Sequence, residues 1–349
     1  MIDNSIVIST PPHVKSKRTT RGIMIDVCIA LLPAVIAGCV FFGWQALMIV
    51  LMSTFACAAT EFVYYFIANK GFSNKCKDAK NVCKKFLRQF DFTSVVTGLI
   101  LALILPTTEK WYEVLYEVLI GGIFSIALVK MLFGGTGKNV VNPAAAGRVF
   151  MFISFSLTTY VAANFGTILE SETLATGATN LSTLLHANPS SAIGALDLLF
   201  GTGVAGCIGE TCKLALIVGY IYLVVRKVIK WWQPLLYIIP SSFLSVCLSA
   251  IGSKSFEIGL FLDYVLSGGL MFAAIFMATD YVTSPKGVYG QITYYLCLAV
   301  LTSVLRYLTK IEVISYVILL MNLLVPLIDA YIVRKPFGYK KIKKQKEGK

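Results

Sequence analysis

Charge is scarce in this chain. Asp, Glu, Lys and Arg make up 14% of its 349 residues, where a soluble globular domain carries about a quarter. Histidine is almost missing: His13 and His186 are the only two, and neither has ligand spacing to the other. No His pair for haem and no Ser-His-Asp arrangement can therefore be assembled. The alternating pattern of a barrel strand occurs nowhere, so sheet content should be negligible. The opening "MIDNSIVISTPPHVKSKRTTRG" has no apolar core, which argues against a cleaved signal peptide and makes the first apolar run an uncleaved start-transfer helix. No GK[ST] follows the Gly-rich stretch 134–148 at Walker spacing.

What fills the chain is apolar sequence. Hydrophobic residues account for 57%, in recurring runs of the length, about 20 residues, that crosses a bilayer as helix. Ten segments are expected, at about 24–43, 46–68, 92–106, 112–132, 143–162, 207–225, 234–251, 258–278, 291–308 and 312–333. The third is short and stops at Leu105-Pro106, the fifth opens on "NPAAAGR", and the tenth contains Pro326 and Asp329. The expected class is an all-α polytopic integral membrane protein. "TGLILALILP" resembles "GGLMFAAIFMATDYVTSP", and "FGGTGKNVVNPAAAG" resembles "FGTGVAGCIGETCKLALIVG". These pairs hint at two five-helix halves of opposite topology, an inverted repeat.

The net charge of +13 would raise the question of nucleic acid in a soluble protein. Here the cations flank apolar runs, and no aromatic-rich basic platform accompanies them, so nucleic acid is not an expected partner. With a cytoplasmic N-terminus and ten crossings, 26 of the 31 Lys and Arg fall on the inside or at its membrane edges, Lys130 and Arg148 included. That is the positive-inside pattern. It divides the chain into a cytoplasmic tail (1–23), a transmembrane domain (24–333) and a basic cytoplasmic tail (334–349). Within the domain, 69–91 is a basic cytoplasmic loop. The loop 159–206, with Glu170, Glu172 and Asp197 but no Lys or Arg, is extracytoplasmic.

Several stretches could carry chemistry. "GGTGKNVVNPAAAGR" (134–148) leads a Gly-rich bend into a Pro-initiated helix, exposing backbone N–H groups and a positive helix end. Lys138 and Arg148 could there hold an anion or an electron-rich ring, or the stretch is a turn with Pro at the first helical position. Glu210 in "GETCK" reads first as a partner of the helix dipole. Asp280 in "MATDYVTSPKG" contacts a ligand or caps the turn that follows. Asp26 and Asp329 are the carboxylates most embedded in apolar sequence, candidates for a cation route. Most of the nine cysteines lie in apolar runs as small hydrophobes. Cys207-x4-Cys212 lacks further ligands nearby for a protein-contained metal site, and a cluster shared with another subunit stays open.

Taken together and in order, "TTRGIMIDVCIALLPAVIAG", "FGGTGKNVVNPAAAGRVF", "GCIGETCKLALIVG" and "FMATDYVTSPKG" resemble one family of membrane subunits. It comprises the D subunit of the Rnf ion-translocating oxidoreductase complex and the B subunit of the sodium-pumping NADH:quinone reductase, and the resemblance spans about residues 10–335. The short N-terminal tail favours the Rnf branch. The resemblance implies a flavin-carrying subunit of a complex that couples electron transfer between ferredoxin and NAD to Na+ or H+ translocation, incomplete as an enzyme alone. It implies FMN joined by a phosphoester to the last hydroxyl of an outer-loop motif, which falls on Thr179 within Thr176-Gly177-Ala178-Thr179. The resemblance implies an acid at the head of that motif, Asp-x-x-x-Ser/Thr-Gly-Ala-Thr/Ser, a place that falls on Glu172, next to Thr173. A second, noncovalent flavin (riboflavin or FMN) is implied within the bundle, with Lys138, Asn139, Asn142, Arg148 and Asp280 as candidate contacts. The implied partners are the other Rnf subunits, including a second FMN-carrying subunit and small membrane subunits, and an extracytoplasmic flavin transferase, in a bacterial cell membrane. A secondary transporter with broken helices shares the Gly/Pro interruptions but gives no reason for a Thr-rich acidic outer loop.

Overall fold

The computed structural model of the chain describes residues 18–68, 76–107, 111–155, 181, 184, 195–253 and 260–332. Among them the chain is helical, with α1 (Thr20–Phe42), α2 (Trp44–Ala68), α3 (Cys76–Gln89), α4 (Thr93–Leu103) and α5 (Trp111–Ile123, continuing as a π-helical segment, Phe124–Met131). After α6 (Pro143–Phe155) and α7 (Ala195–Phe200) come α8 (Lys213–Val225), α9 (Trp232–Ser253) and α10 (Leu260–Leu266). The chain continues through α11 (Leu270–Phe272, then the π-helical Ala273–Met277), α12 (Val288–Thr309) and α13 (Ile314–Tyr331). Six of these helices are long and apolar enough to cross a membrane. Two pairs of helices are apolar enough together but sharply bent, Val82–Gln89 with Thr93–Leu103 at 66° and Leu260–Leu266 with Leu270–Met277 at 60°; counting each as one span gives eight among the described residues. Of the ten segments expected, those at 143–162 and 207–225 form the shorter apolar helices α6 and α8. The protein is a multi-pass membrane protein.

Packing repeats between the halves. In the first, α2 lies against α4 and α5, and α5 against α6; in the second, α9 lies against α10 and α12, and α12 against α13. Across the halves, α1 packs on α8 and α6 on α13. One helix of each bent pair, α4 and α11, carries one of the two Gly-led runs whose sequences resemble each other.

Between membrane helices apolar burial supplies little drive, because lipid is as apolar as leucine; close approach and interhelical hydrogen bonds do the work. Ser53 Oγ donates to Gly98 O at 2.7 Å, joining α2 to α4, and a Cβ on Gly98 would stand 2.7 Å from Thr54 Cα. Ser303 Oγ donates to Ser241 O at 2.7 Å, and Tyr237 and Thr302 share a hydroxyl bond of 2.8 Å, joining α12 to α9. Large apolar side chains such as Leu32 and Ile36 on α1 remain exposed, as lipid contact requires.

One element was not expected. The basic stretch 69–91 contains the amphipathic helix α3. Its Phe86 ring packs 5.1 Å from Phe62 and 5.4 Å from Tyr65 of α2, while Lys84, Lys85 and Arg88 stay exposed.

Candidate functional site

Two polar regions interrupt the apolar core. The first is a cleft of about 100 Å³ bounded by α1, α4, both π-helical segments, the 136–144 stretch and residues 279–282. Its walls are mostly apolar, among them Met24, Val96, Ile100 and Phe276, and its polar groups are few. That mixture marks a ligand site, where a handful of polar atoms orient a largely apolar guest. Asn142 caps α6: its Oδ1 accepts from Ala144 N (3.0 Å) and Ala145 N (3.3 Å), and its Nδ2 donates to Met277 O at 3.3 Å in the other half. Asn322 of α13, with its amide oriented to satisfy its neighbours, accepts from Asn142 N at 3.0 Å and donates to Thr283 O at 3.2 Å. One pair of amides thus joins α6, α13 and the 278–287 stretch. Nothing local in the sequence singles out Asn322.

Asp280 lines the same cleft and also closes its own turn, accepting from Val282 N at 3.4 Å and Thr283 Oγ1 at 3.1 Å. The capping reading of this residue holds. Burial pushes its carboxyl pKa above the usual carboxylate value, against the hydrogen bonds from Val282, Thr283 and Tyr281. Lys130 projects from the π-helical part of α5 into this region and pairs with Glu61 at 3.0 Å while donating to Thr93 Oγ1 at 2.6 Å. Asn139 Oδ1, also at the cleft, is a buried acceptor with no partner among the described residues. An acceptor so placed fits an N–H of a planar ring, and the apolar walls fit the ring itself. The closed cleft is smaller than the ~300–1,000 Å³ of typical small-molecule sites, so a guest must displace side chains to enter. Lys138 does not line it and folds its stem against Gly134.

Arg148 belongs to the second region. It is buried among protein side chains. Its Nη1 lies 3.6 Å from Glu210 Oε1 and 3.4 Å from Ser315 Oγ, and its Nη2 lies 3.6 Å from Cys207 Sγ. Glu210 is more than a dipole partner. It sits in the bend before α8, its backbone carbonyl accepts from Lys213 Nζ, and its carboxylate packs against Gly269. Lys213 Nζ also donates to Gly268 O at 2.8 Å. Arg306, wholly buried, holds Glu312 at 2.9 Å through both carboxylate oxygens, and Glu312 Oε2 accepts from Gly269 N at 3.3 Å. Gly268 has φ +63, and a Cβ there would lie against Glu312. Three cations and two carboxylates therefore surround the break between α10 and α11. Ions in a low-dielectric interior are tolerated only when paired and hydrogen-bonded in this way.

The carboxylates expected on a cation route lie elsewhere. Asp26 pairs with Arg226 at 3.1 Å and accepts from Tyr222 OH at 3.2 Å, and Asp329 Oδ1 accepts from Lys286 N at 3.3 Å. Neither joins the buried cluster. Cys207 and Cys212 are free thiols, and no group of three or more His, Cys, Asp or Glu side chains among the described residues could hold a metal. Thr173, Thr176, Gly177, Ala178 and Thr179 lie outside the described residues. Two residues beyond them, Leu181 is buried with Leu184, Val246 and Tyr264.

Apolar helices, two pairs of them sharply bent, around a cleft with a few polar groups define an all-α multi-pass membrane protein. Comparison with known proteins narrows this. The chain belongs to the NQR2, RnfD, RnfE family, whose model matches residues 7–338. It is 34% identical to the D subunit of the Na+-translocating ferredoxin:NAD+ oxidoreductase complex of Acetobacterium woodii, over 99% of each chain. It is 32% identical to the D subunit of the proton-translocating ferredoxin:NAD+ oxidoreductase complex of Clostridium ljungdahlii, over 96% of this chain and 97% of that one. To the D subunit of the ion-translocating oxidoreductase complex of Alcanivorax borkumensis it is 30% identical, over 96% and 98%.

Proposed function

We propose that this chain is the D-type membrane subunit of an ion-translocating ferredoxin:NAD+ oxidoreductase. It would work with the other subunits of that complex, a second FMN-carrying subunit and small membrane subunits among them, and would be incomplete alone. The observation that carries this is the end-to-end likeness to relatives of that name. Two of those names specify different cations, so family membership does not choose between Na+ and H+.

In this reading Thr179 carries FMN by a phosphoester, attached by an extracytoplasmic flavin transferase. Gly177 and Ala178 leave the hydroxyl open to the transferase. The termini are cytoplasmic and the loop 159–206 lies outside, as the charge distribution argues. A second flavin, riboflavin or noncovalent FMN, would lie in the cleft, where Asn139 and Asn142 would orient the ring edge and the apolar walls would exclude water. A bound flavin supplies one- and two-electron transfer; this chain's own residues hold, orient and seclude it. Arg148, committed to Cys207, Glu210 and Ser315, would support the α6–α8 junction rather than touch that ring.

The test is direct. Protein from a host that supplies the flavin transferase is denatured, run on a gel and viewed under ultraviolet light. A yellow-green band that vanishes in Thr179→Val supports the reading, and peptide mass mapping of 160–206 locates the bond. A colourless band refutes the covalent flavin and leaves a transporter-like or purely structural subunit.

A further inference from the structure

A pocket of about 770 Å³ opens between the α8–α9 turn and the 278–287 stretch, at the end of the bundle reached by Arg18. Lys227, Lys230 and Lys286 line it and are exposed. Among the described residues no carboxylate lines it, and none pairs with these three ammonium groups. Lys227 holds a left-handed backbone, φ +53, which L-residues with side chains rarely adopt. Arg18 Nη1 donates to its carbonyl at 3.1 Å, bringing a fourth cation to the rim.

The remaining lining gives the cation cluster a direction. Trp231, Trp232 and Tyr281 contribute aromatic faces; Trp231 is 63% exposed, and Lys230 Nζ stands 5.5 Å from the Trp232 ring centre. Tryptophan and tyrosine collect at the boundary between lipid and water. Gln233, Thr279 and Ser284, all buried, supply hydrogen-bonding groups deeper in. Leading away from the mouth, Leu214, Val218, Ile221 and Val225 are exposed along one face of α8, spaced as a helical stripe. Lysines with no carboxylate partner among the described residues, hydrogen-bonding side chains beside them and an exposed apolar stripe on the adjoining helix match an amphiphile that carries a phosphate. A soluble anion would have no use for the stripe.

We propose that this pocket binds the phosphodiester headgroup of one anionic phospholipid, its acyl chain lying along the α8 stripe. Basic pockets between spans are suited to such headgroups. The site is distinct from the cleft assigned to the second flavin, although Val228, Ile229, Thr279 and Tyr281 border both. The proposal does not depend on the flavin assignment.

Native mass spectrometry of the purified full chain, titrated with phosphatidylglycerol or phosphatidylcholine of the same acyl chains, tests it. The unmodified chain should retain one phosphatidylglycerol with roughly tenfold or greater preference, as three nearby lysines imply. The triple variant Lys227→Gln, Lys230→Gln, Lys286→Gln should lose that preference, while Lys84→Gln, Lys85→Gln on α3 should keep it. Equal binding of the two lipids by the unmodified chain overturns the proposal whether or not the variants fold. So does equal loss in the α3 variant, or release of the lipid by inorganic phosphate but not by chloride of the same ionic strength, which would mark a soluble-anion site.

Discussion

The carboxylate of Glu210 fills the space that a side chain at position 269 would occupy, so the bend before α8 and the break before α11 interlock through a glycine. Glu210 Oε1 has no hydrogen-bond partner among the described residues, and the nearest cation, Arg148, approaches to 3.6 Å. Gly269→Ala is therefore expected to destabilise the protein by about 1–3 kcal/mol, the usual cost of overpacking. Thermal unfolding in detergent measures this, and an unchanged midpoint would show that the carboxylate moves freely.

Arg306 and Glu312 form the tightest ion pair in the core. Removing one partner leaves the other charge buried, at a cost of about 3–5 kcal/mol. Glu312→Ala should accordingly lower the unfolding midpoint more than the double variant Glu312→Ala, Arg306→Met, which removes both charges. If the single and double variants are equally damaged, pairing is not what the interior rewards.

On the motif that the resemblance implies, Glu172 stands in the place of the acid, seven residues before Thr179, with Thr173 beside it. If recognition by the flavin transferase uses that acid, Glu172→Gln should lower the fraction of chains carrying flavin, read as in-gel fluorescence per unit protein. Thr173→Ala should leave it unchanged. A fraction indifferent to both substitutions would mean the transferase reads only Thr176 to Thr179.

Asn142 joins the two halves through Met277 O and Asn322 while capping α6. Asn142→Ala should cost about 0.5–2 kcal/mol for the lost cap and, if a second flavin occupies the cleft, reduce noncovalent flavin released on denaturation. Asn139→Ala separates the effects, because Asn139 lines the cleft without capping a helix. Flavin retained in full by both variants would argue against this cleft as its place.

Much of the architecture was legible in the sequence, because lipid imposes a simple rule: a span must be apolar and long. The segment that stops at Leu105-Pro106 does end early, with α4 closing at Leu103. Pro326 lies inside α13, which runs as helix from Ile314 to Tyr331. The amphipathic α3 was hidden because its lysines read as loop. The buried charges were harder still. Arg148 and Glu210 are far apart in sequence, and each taken alone resembles a helix-end charge. Only packing reveals that they meet. Asp26 and Asp329 drew attention through apolar neighbours along the chain, yet both ended beside partners at helix ends. The loop proposed to carry flavin drew attention only through its motif, since the hydroxyls there follow no period that physics alone would interpret.

The bend before α8 also docks on the tip of α4. Ile208 N donates to Leu105 O at 3.1 Å, and Gly209 N donates to Leu103 O. These carbonyls end a helix that stops partway through the bundle, where oil offers them no substitute partner. During synthesis α4 emerges about a hundred residues before Ile208 does. Until then the first half is an unfinished insertion intermediate, with bare carbonyls that must be sheltered by translocon, water or lipid headgroup. Biogenesis of this protein thus has a built-in order: the first half can enter the membrane early, but it is sealed only by the second.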